Sequence, residues 1–215
     1  MDKTVAFFDV DNTIVNITTL VSFMKFYHHT IGNPDEYVRR YSILESMKFD
    51  GASRQKLNEL YYKQFKGAVF SDMMNMGRRW FESLDHDTLF KTPVIKAINE
   101  HKQKGNSIAL VSGSFQPCLA PILEHIGGHW LLCTDLETVE NVLTGNIKQQ
   151  AIGAGKRAII ERFASEQALQ LDNCYAYGDD ISDIDMMKSV GHPIAVTSSN
   201  STLMDIAHSH GWPII

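Results

Sequence analysis

Apolar and polar residues follow two different periods along this chain, and the places where the period changes divide it. Residues 4–9 read as a continuous apolar strand, the kind buried on both faces of a parallel sheet. From about 16 to 88 no comparable strand run occurs. Apolar residues recur there at helical spacing, as in Leu20, Phe23, Met24 and Tyr27, and again in Leu57, Leu60, Tyr61 and Phe65. The segments "GNPDEYV", "FDGAS" and "FKGAVFSD" supply breakers and caps between these helices. Most of the aromatic and methionine side chains lie in this stretch, which suits a small packed helical bundle and also the rim of an adaptable pocket.

After Thr92-Pro93, a helix start with proline in its first turn, strand and helix alternate again. "VIKAINEHKQKG" is amphipathic and ends at Gly105, and "SIALVSG" is a strand followed by a turn. "QPCLAPILEHIGG" has helical character, with Pro121 expected to kink it or mark a restart. "HWLLCTD" is a further strand, and "LETVENVLTGNI" alternates around Glu140-Asn141 like a hairpin. "GKRAIIERFASEQALQ" is a helix, "NCYAYGDD" a strand into a turn, "SDIDMMKSV" a short helix and "HPIAV" the last core strand. "NSTLMDIAHSHG" forms a final helix before Trp212–Ile215 closes the chain. The pattern is that of an α/β core interrupted after its first strand by a helical insertion.

Composition narrows the partners. At 215 residues, 44% hydrophobic and 21% charged, the chain is long enough to bury a sizeable interior and has an ordinary globular balance. A formal net charge of -5 argues against nucleic acid as the main partner, and basic doublets such as Arg39-Arg40 and Arg78-Arg79 sit among acids on solvated helix faces. No run approaches the ~20 apolar residues of a membrane span, and no secretory signal is recognisable at the N-terminus. Cys118, Cys133 and Cys174 are an odd number without a C-x-x-C pair, which suits reduced thiols in the cytoplasm. The histidines lack zinc spacing; His208 and His210 are two apart, on different faces of a helix. Nothing in the pattern sets an oligomeric state.

Ligands of open parallel sheets bind beyond the carboxyl ends of the strands, so the residues just after each strand carry the chemistry. The first strand delivers Asp9, Asp11 and Thr13. Asp, Asn and Thr also end strands as a simple polar turn. The "SIALV" strand delivers Ser112, Gly113 and Ser114 at an expected helix N-terminus, where N–H groups favour an anion, or where Ser114 serves as an N-cap. Lys156 stands in the first turn of its helix, against the helix dipole, so an external anion explains it better than helix stability does. It is no nucleotide P-loop, because Gln150 and Arg157 replace the glycine and the Ser or Thr that motif needs. The "NCYAY" strand delivers Asp179, Asp180, Asp183 and Asp185, four acids within seven residues. Together with Asp9 and Asp11 they call for a hard divalent cation with oxygen ligands, and Mg²⁺ suits a few carboxylates plus a substrate phosphate.

The order D-x-D-N-T, a strand ending in serine, an isolated lysine and G-D-D-x-x-D resembles the haloacid dehalogenase-like hydrolase superfamily, and within it the phosphoserine-phosphatase-like branch. The resemblance spans nearly the whole chain. It implies a Rossmann-like α/β core with a central parallel sheet, residues 1–15 and 88–215, and an inserted helical cap of the C1 type, residues 16–87. It implies a cytoplasmic Mg²⁺-dependent phosphatase of small-molecule phosphate monoesters. Asp9 would be the nucleophile that forms an aspartyl-phosphate, and Asp11 the acid/base. Asp9, the Asp11 backbone carbonyl, Asp179 and a further acid, Asp183 or Asp180, would hold the metal. Thr13, Ser112, Gly113, Lys156 and Ser182 would contact the substrate or its phosphate. Thr18 stands where phosphoserine phosphatases carry a glutamate for the substrate ammonium, and Ser182 where their last motif usually has asparagine, so phosphoserine is not implied as the substrate. A phosphotransferase or phosphomutase would use the same intermediate, and a receiver-like domain would share the acidic pocket, although the insertion and Asp11 argue against it.

Overall fold

The computed structural model describes residues 3–198 and 201–215; Met1 and Asp2 of the expected core and Asn200 of the expected last helix lie outside them. Six strands form one sheet: β1 (Val5–Phe8), β2 (Ser107–Phe115), β3 (Trp130–Val139), β4 (Val142–Gln149), β5 (Tyr175–Gly178) and β6 (His192–Ala195), in the order β4-β3-β2-β1-β5-β6. All neighbours are parallel except β3 and β4. The mixed α/β fold with a mostly parallel central sheet is the one expected. In β1 all four residues are buried, and they alternate between faces: Ala6 and Phe8 join one apolar cluster, Val5 and Phe7 another. The unbroken apolar run arises because helices cover both sides.

Between β1 and β2 run α1 (Thr19–Thr30), α2 (Pro34–Phe49), α3 (Arg54–Lys63), α4 (Phe70–Glu82), a short α5 (His86–Leu89) and α6 (Thr92–Gln103). The rest of the chain adds α7 (Gln116–His125), α8 (Ala154–Gln167), α9 (Ile184–Met187) and α10 (Ser201–His210). None of the described helices is long and apolar enough to cross a membrane.

Three local expectations change. Pro121 marks no restart, for α7 runs through it as one helix. Ser112, Gly113 and Ser114 are not at a helix N-terminus: β2 continues to Phe115 with its register shifted between Ser112 and Phe115, and α7 is capped at Phe115, so Ser114 is no N-cap. Finally, "HWLLCTD" and the first arm of the hairpin are one strand. β3 pairs with β2 up to Thr134 and with β4 beyond it. Glu140 (φ 50°) and Asn141 (φ 66°) take the two left-handed positions of the connecting turn, which matches the twist of a hairpin. The hairpin reaches the helical insertion: Phe70 N–H donates to Asn141 O at 2.7 Å, and Gly67 N–H to Leu143 O at 2.8 Å.

Candidate active site

Neighbouring strands β1 and β5 end side by side, where the strand order reverses and open α/β sheets leave a crevice. Asp9 follows β1 and is tied down by its own N–H, which donates to Tyr177 O at 2.9 Å. Asn12 then adopts φ 57°, a conformation asparagine tolerates better than most residues. This turn lets the N–H groups of Thr13, Ile14 and Val15 converge on the Val10 carbonyl. It also folds Thr13 back over Asp9. The Thr13 hydroxyl lies 3.1 Å from Asp9 Oδ2 and 2.8 Å from Asp179 Oδ1. A hydroxyl has a single proton, so it serves one carboxylate at a time.

Lys156, 4% exposed, sits in the first turn of α8 and donates to Asp9 Oδ1 and, at 2.7 Å, to Asp183 Oδ1. Asp183, 1% exposed, spends its other oxygen on the backbone N–H groups of Asp179 (3.2 Å) and Asp180 (3.1 Å). Gly178 allows this, because a Cβ there would press into the Asp183 carboxyl. Oxygens of Asp9, Asp179 and Asp183 all lie within 4.8 Å of one another. Burial pushes the Asp9 carboxyl up to about 6, with Lys156 opposing and Asp179 and Asp11 adding to the rise. Burial and then Asp9 raise Asp183 to about 6, and burial also raises Asp179. The Lys156 ammonium is raised because Asp183 and Asp9 outweigh the burial that would lower it. Three ionised carboxylates against one ammonium leave two negative charges in excess. An all-oxygen donor set with that excess fits a hard divalent cation such as Mg²⁺.

Asp11 faces another way. Its Oδ1 accepts the Thr19 N–H at 3.0 Å, at the N-terminus of α1, where Thr18 makes no side-chain cap. Burial holds it near 6, against the Thr19 hydrogen bonds that lower it. Its carboxylate is not part of the three-acid group.

The structure therefore brings Asp9, Thr13, Lys156, Asp179 and Asp183 together, with Ser112 and Gly113 in the C-terminal part of the adjacent strand β2. The Asp180 carboxylate is not one of those three acids; it and the Ser182 hydroxyl meet Arg54, whose Nη1 lies 2.9 Å from Asp180 Oδ1 and 2.7 Å from Ser182 Oγ. Of the two acids left open, Asp183 joins the cluster and Asp180 faces α3. Sequence reasoning missed Arg54, Asn58 and Tyr62. The latter two donate to the Gly113 carbonyl at 3.1 Å and 3.0 Å. Their signal was available: they recur every four residues down one face of a helix, and Arg54 opposes its helix dipole as Lys156 does.

Against this geometry, likenesses to known proteins fall into place. The sequence matches the haloacid dehalogenase-like hydrolase family over residues 6–188. A probable phosphatase of Mycobacterium tuberculosis is 26% identical over 99% of this chain and 75% of its own length. A phosphoserine phosphatase of Methanocaldococcus jannaschii is 27% identical over 90% of this chain and 85% of its own. The solved structure of a protein of unknown function from Bordetella pertussis Tohama I has the same fold, with a TM-score of 0.90 at 23% identity over 100% of this chain and 99% of that one. With its motifs in order on this fold, the chain belongs to the haloacid dehalogenase-like hydrolase family, in the phosphoserine-phosphatase-like branch.

Proposed function

We propose that this chain is a Mg²⁺-dependent phosphatase that hydrolyses a small phosphate monoester through an aspartyl-phosphate on Asp9. The observation that carries the reading is the convergence of Asp9, Asp179, Asp183 and Lys156 at one buried point, with Asp11 two residues away but held separately. A carboxylate oxygen of Asp9 attacks phosphorus while the bond from phosphorus to the alcohol oxygen breaks. Asp11, whose raised pKa keeps a proton within reach near neutrality, gives that proton to the departing oxygen. Water then attacks the phosphorus, Asp11 takes its proton, and the bond to Asp9 breaks to release inorganic phosphate. Lys156 moves from Asp9 to the phosphoryl oxygens, and Ser112 and the Gly113 N–H meet the others, where charge develops. Thr13 orients Asp9 and Asp179. Asp9, Asp179 and the Asp11 carbonyl would hold Mg²⁺, with Asp183 behind them, and the bound ion would neutralise phosphoryl charge.

Residues 16–87 act as the cap over a core of residues 1–15 and 88–215. Ser182, next to Arg54, lies at the contact between them. The near-complete burial of Lys156 and Asp183 supports entry by cap movement. The three free thiols support a cytoplasmic location. The test is turnover of a panel of phosphate esters with Mg²⁺ and with excess chelator. Hydrolysis with the metal and none with chelator is the expected result; undiminished turnover in chelator overturns the metal assignment.

A further inference from the structure

The Gly113 backbone carbonyl receives three side-chain donors. Gly113 O accepts from Thr134 Oγ1 at 2.9 Å, Tyr62 Oη at 3.0 Å and Asn58 Nδ2 at 3.1 Å. All three side chains are buried, and a carbonyl with two lone pairs is saturated by such a set. Their other polar atoms are occupied as well. Asn58 Oδ1 accepts from Gln150 Nε2 at 3.0 Å, and Thr134 Oγ1 accepts the Ala151 N–H at 3.3 Å. Thr134 belongs to the sheet, whereas Asn58 and Tyr62 are one turn apart on α3 of the helical insertion.

The Gly113 carbonyl and the Ser114 N–H belong to one rigid peptide plane, so fixing the first aims the second. That N–H donates to Ser112 Oγ at 3.1 Å. Accepting this N–H orients the Ser112 hydroxyl, whose single proton can then be given to a ligand oxygen. A second contact from the insertion reaches the same irregular stretch of β2, where Thr19 Oγ1 on α1 donates to Ser114 Oγ at 2.9 Å.

We propose that Asn58 and Tyr62 are positioning residues that fix the Gly113–Ser114 peptide, and through it the Ser112 hydroxyl, so that the phosphate cradle is complete only while α3 is docked. This rests on the phosphatase reading above. The saturated carbonyl makes docking of the insertion and alignment of the cradle a single event.

Tyr62→Phe and Asn58→Leu each keep roughly the side chain's shape and remove its donor to Gly113 without adding a charge. Three quantities separate positioning from mere packing: the Kd of inorganic phosphate measured calorimetrically with Mg²⁺, kcat and KM for an aryl phosphate, and the melting temperature. Each variant is expected to weaken phosphate binding about two- to tenfold, the factor carried by one neutral hydrogen bond, with kcat/KM falling in parallel. Thr134→Ser, which retains the third donor, should bind phosphate like the parent. Folded Tyr62→Phe protein with unchanged phosphate Kd and kcat/KM, or with only a lowered melting temperature, overturns the inference. A parent protein that neither binds phosphate nor hydrolyses an ester overturns the phosphatase reading itself, and the positioning role falls with it.

Discussion

Lys156 meets Asp9 and Asp183 from the first turn of a helix whose dipole disfavours it, which is why the residue was legible in the sequence. Asp9→Asn should abolish turnover, since the covalent route is lost. Asp11→Asn should cost about 10²–10⁴-fold with an alkyl phosphate and less with an aryl phosphate, whose oxygen leaves without help, so phosphoenzyme should accumulate with the latter. Near-parental activity of Asp9→Asn would demand another nucleophile. The three acids near 6 also set a pH signature. Unfolded carboxyls titrate near 3.9, so between about pH 6 and 4 the folded chain binds more protons than the unfolded one. Their contribution to stability is therefore unfavourable above 6 and improves as pH falls toward 4. Mg²⁺ competes with those protons, so its rise in Tm should be large above pH 7 and shrink below 6. Equal Mg²⁺ shifts at pH 5 and pH 8 would contradict this. Arg54 carries the same dipole signal as Lys156, but its partners Asp180 and Ser182 are 126 and 128 residues away, so no local spacing reveals its place.

Helices and strands were readable because their apolar faces repeat within a few residues; contacts between elements were not. Pro121 shows the difference. A proline within a helix was expected to kink it, because it cannot bond the carbonyl four residues back, here Pro117. In the fold that orphan carbonyl lies against Gly77 of α4, close enough that a Cβ on Gly77 would overlap it. The missing hydrogen bond and the missing side chain meet at one point, and the two helices pack tightly around it. On an exposed helix, Gly→Ala gains about 1 kcal/mol. Gly77→Ala should do the reverse, losing about 1–3 kcal/mol by overpacking and lowering Tm by several degrees. A raised Tm would show that α4 and α7 separate without cost. The segment Ser112–Ser114 illustrates the same limit: a strand that ends in Ser-Gly-Ser reads as a turn into a helix, and only pairing with β3 draws it out to Phe115.

Across the whole molecule, Phe23, Tyr62, Phe65 and Trp80 of the insertion share one apolar cluster with Phe8, Leu110 and Phe115 of the sheet. The insertion thus packs onto the sheet beside the strand ends, and under the proposed function the part of the substrate beyond the phosphate would be met by it. An ammonium buried there without a counter-charge costs several kcal/mol. Thr18 supplies none. Every acid between residues 16 and 87 is exposed except Glu36, and Arg39 bonds Glu36 strongly enough to hold its carboxyl down to about 2. Glu45, Glu59 and Asp72, which could have replaced the family's glutamate by turning inward, face solvent instead. The Gly113 carbonyl, a neutral acceptor beside the site, already has three donors. Under the proposed phosphatase reading, these surroundings favour an alcohol portion that is neutral or largely apolar over a zwitterionic serine. Steady-state kinetics on phosphoserine, a sugar phosphate, a nucleoside monophosphate and an aryl phosphate should therefore place phosphoserine below the best neutral ester by tenfold or more in kcat/KM, about 1.4 kcal/mol of transition-state discrimination. A tenfold preference for phosphoserine would require an acid of the insertion to swing inward when substrate binds, and substituting Glu45, Glu59 and Asp72 in turn by glutamine or asparagine would identify it.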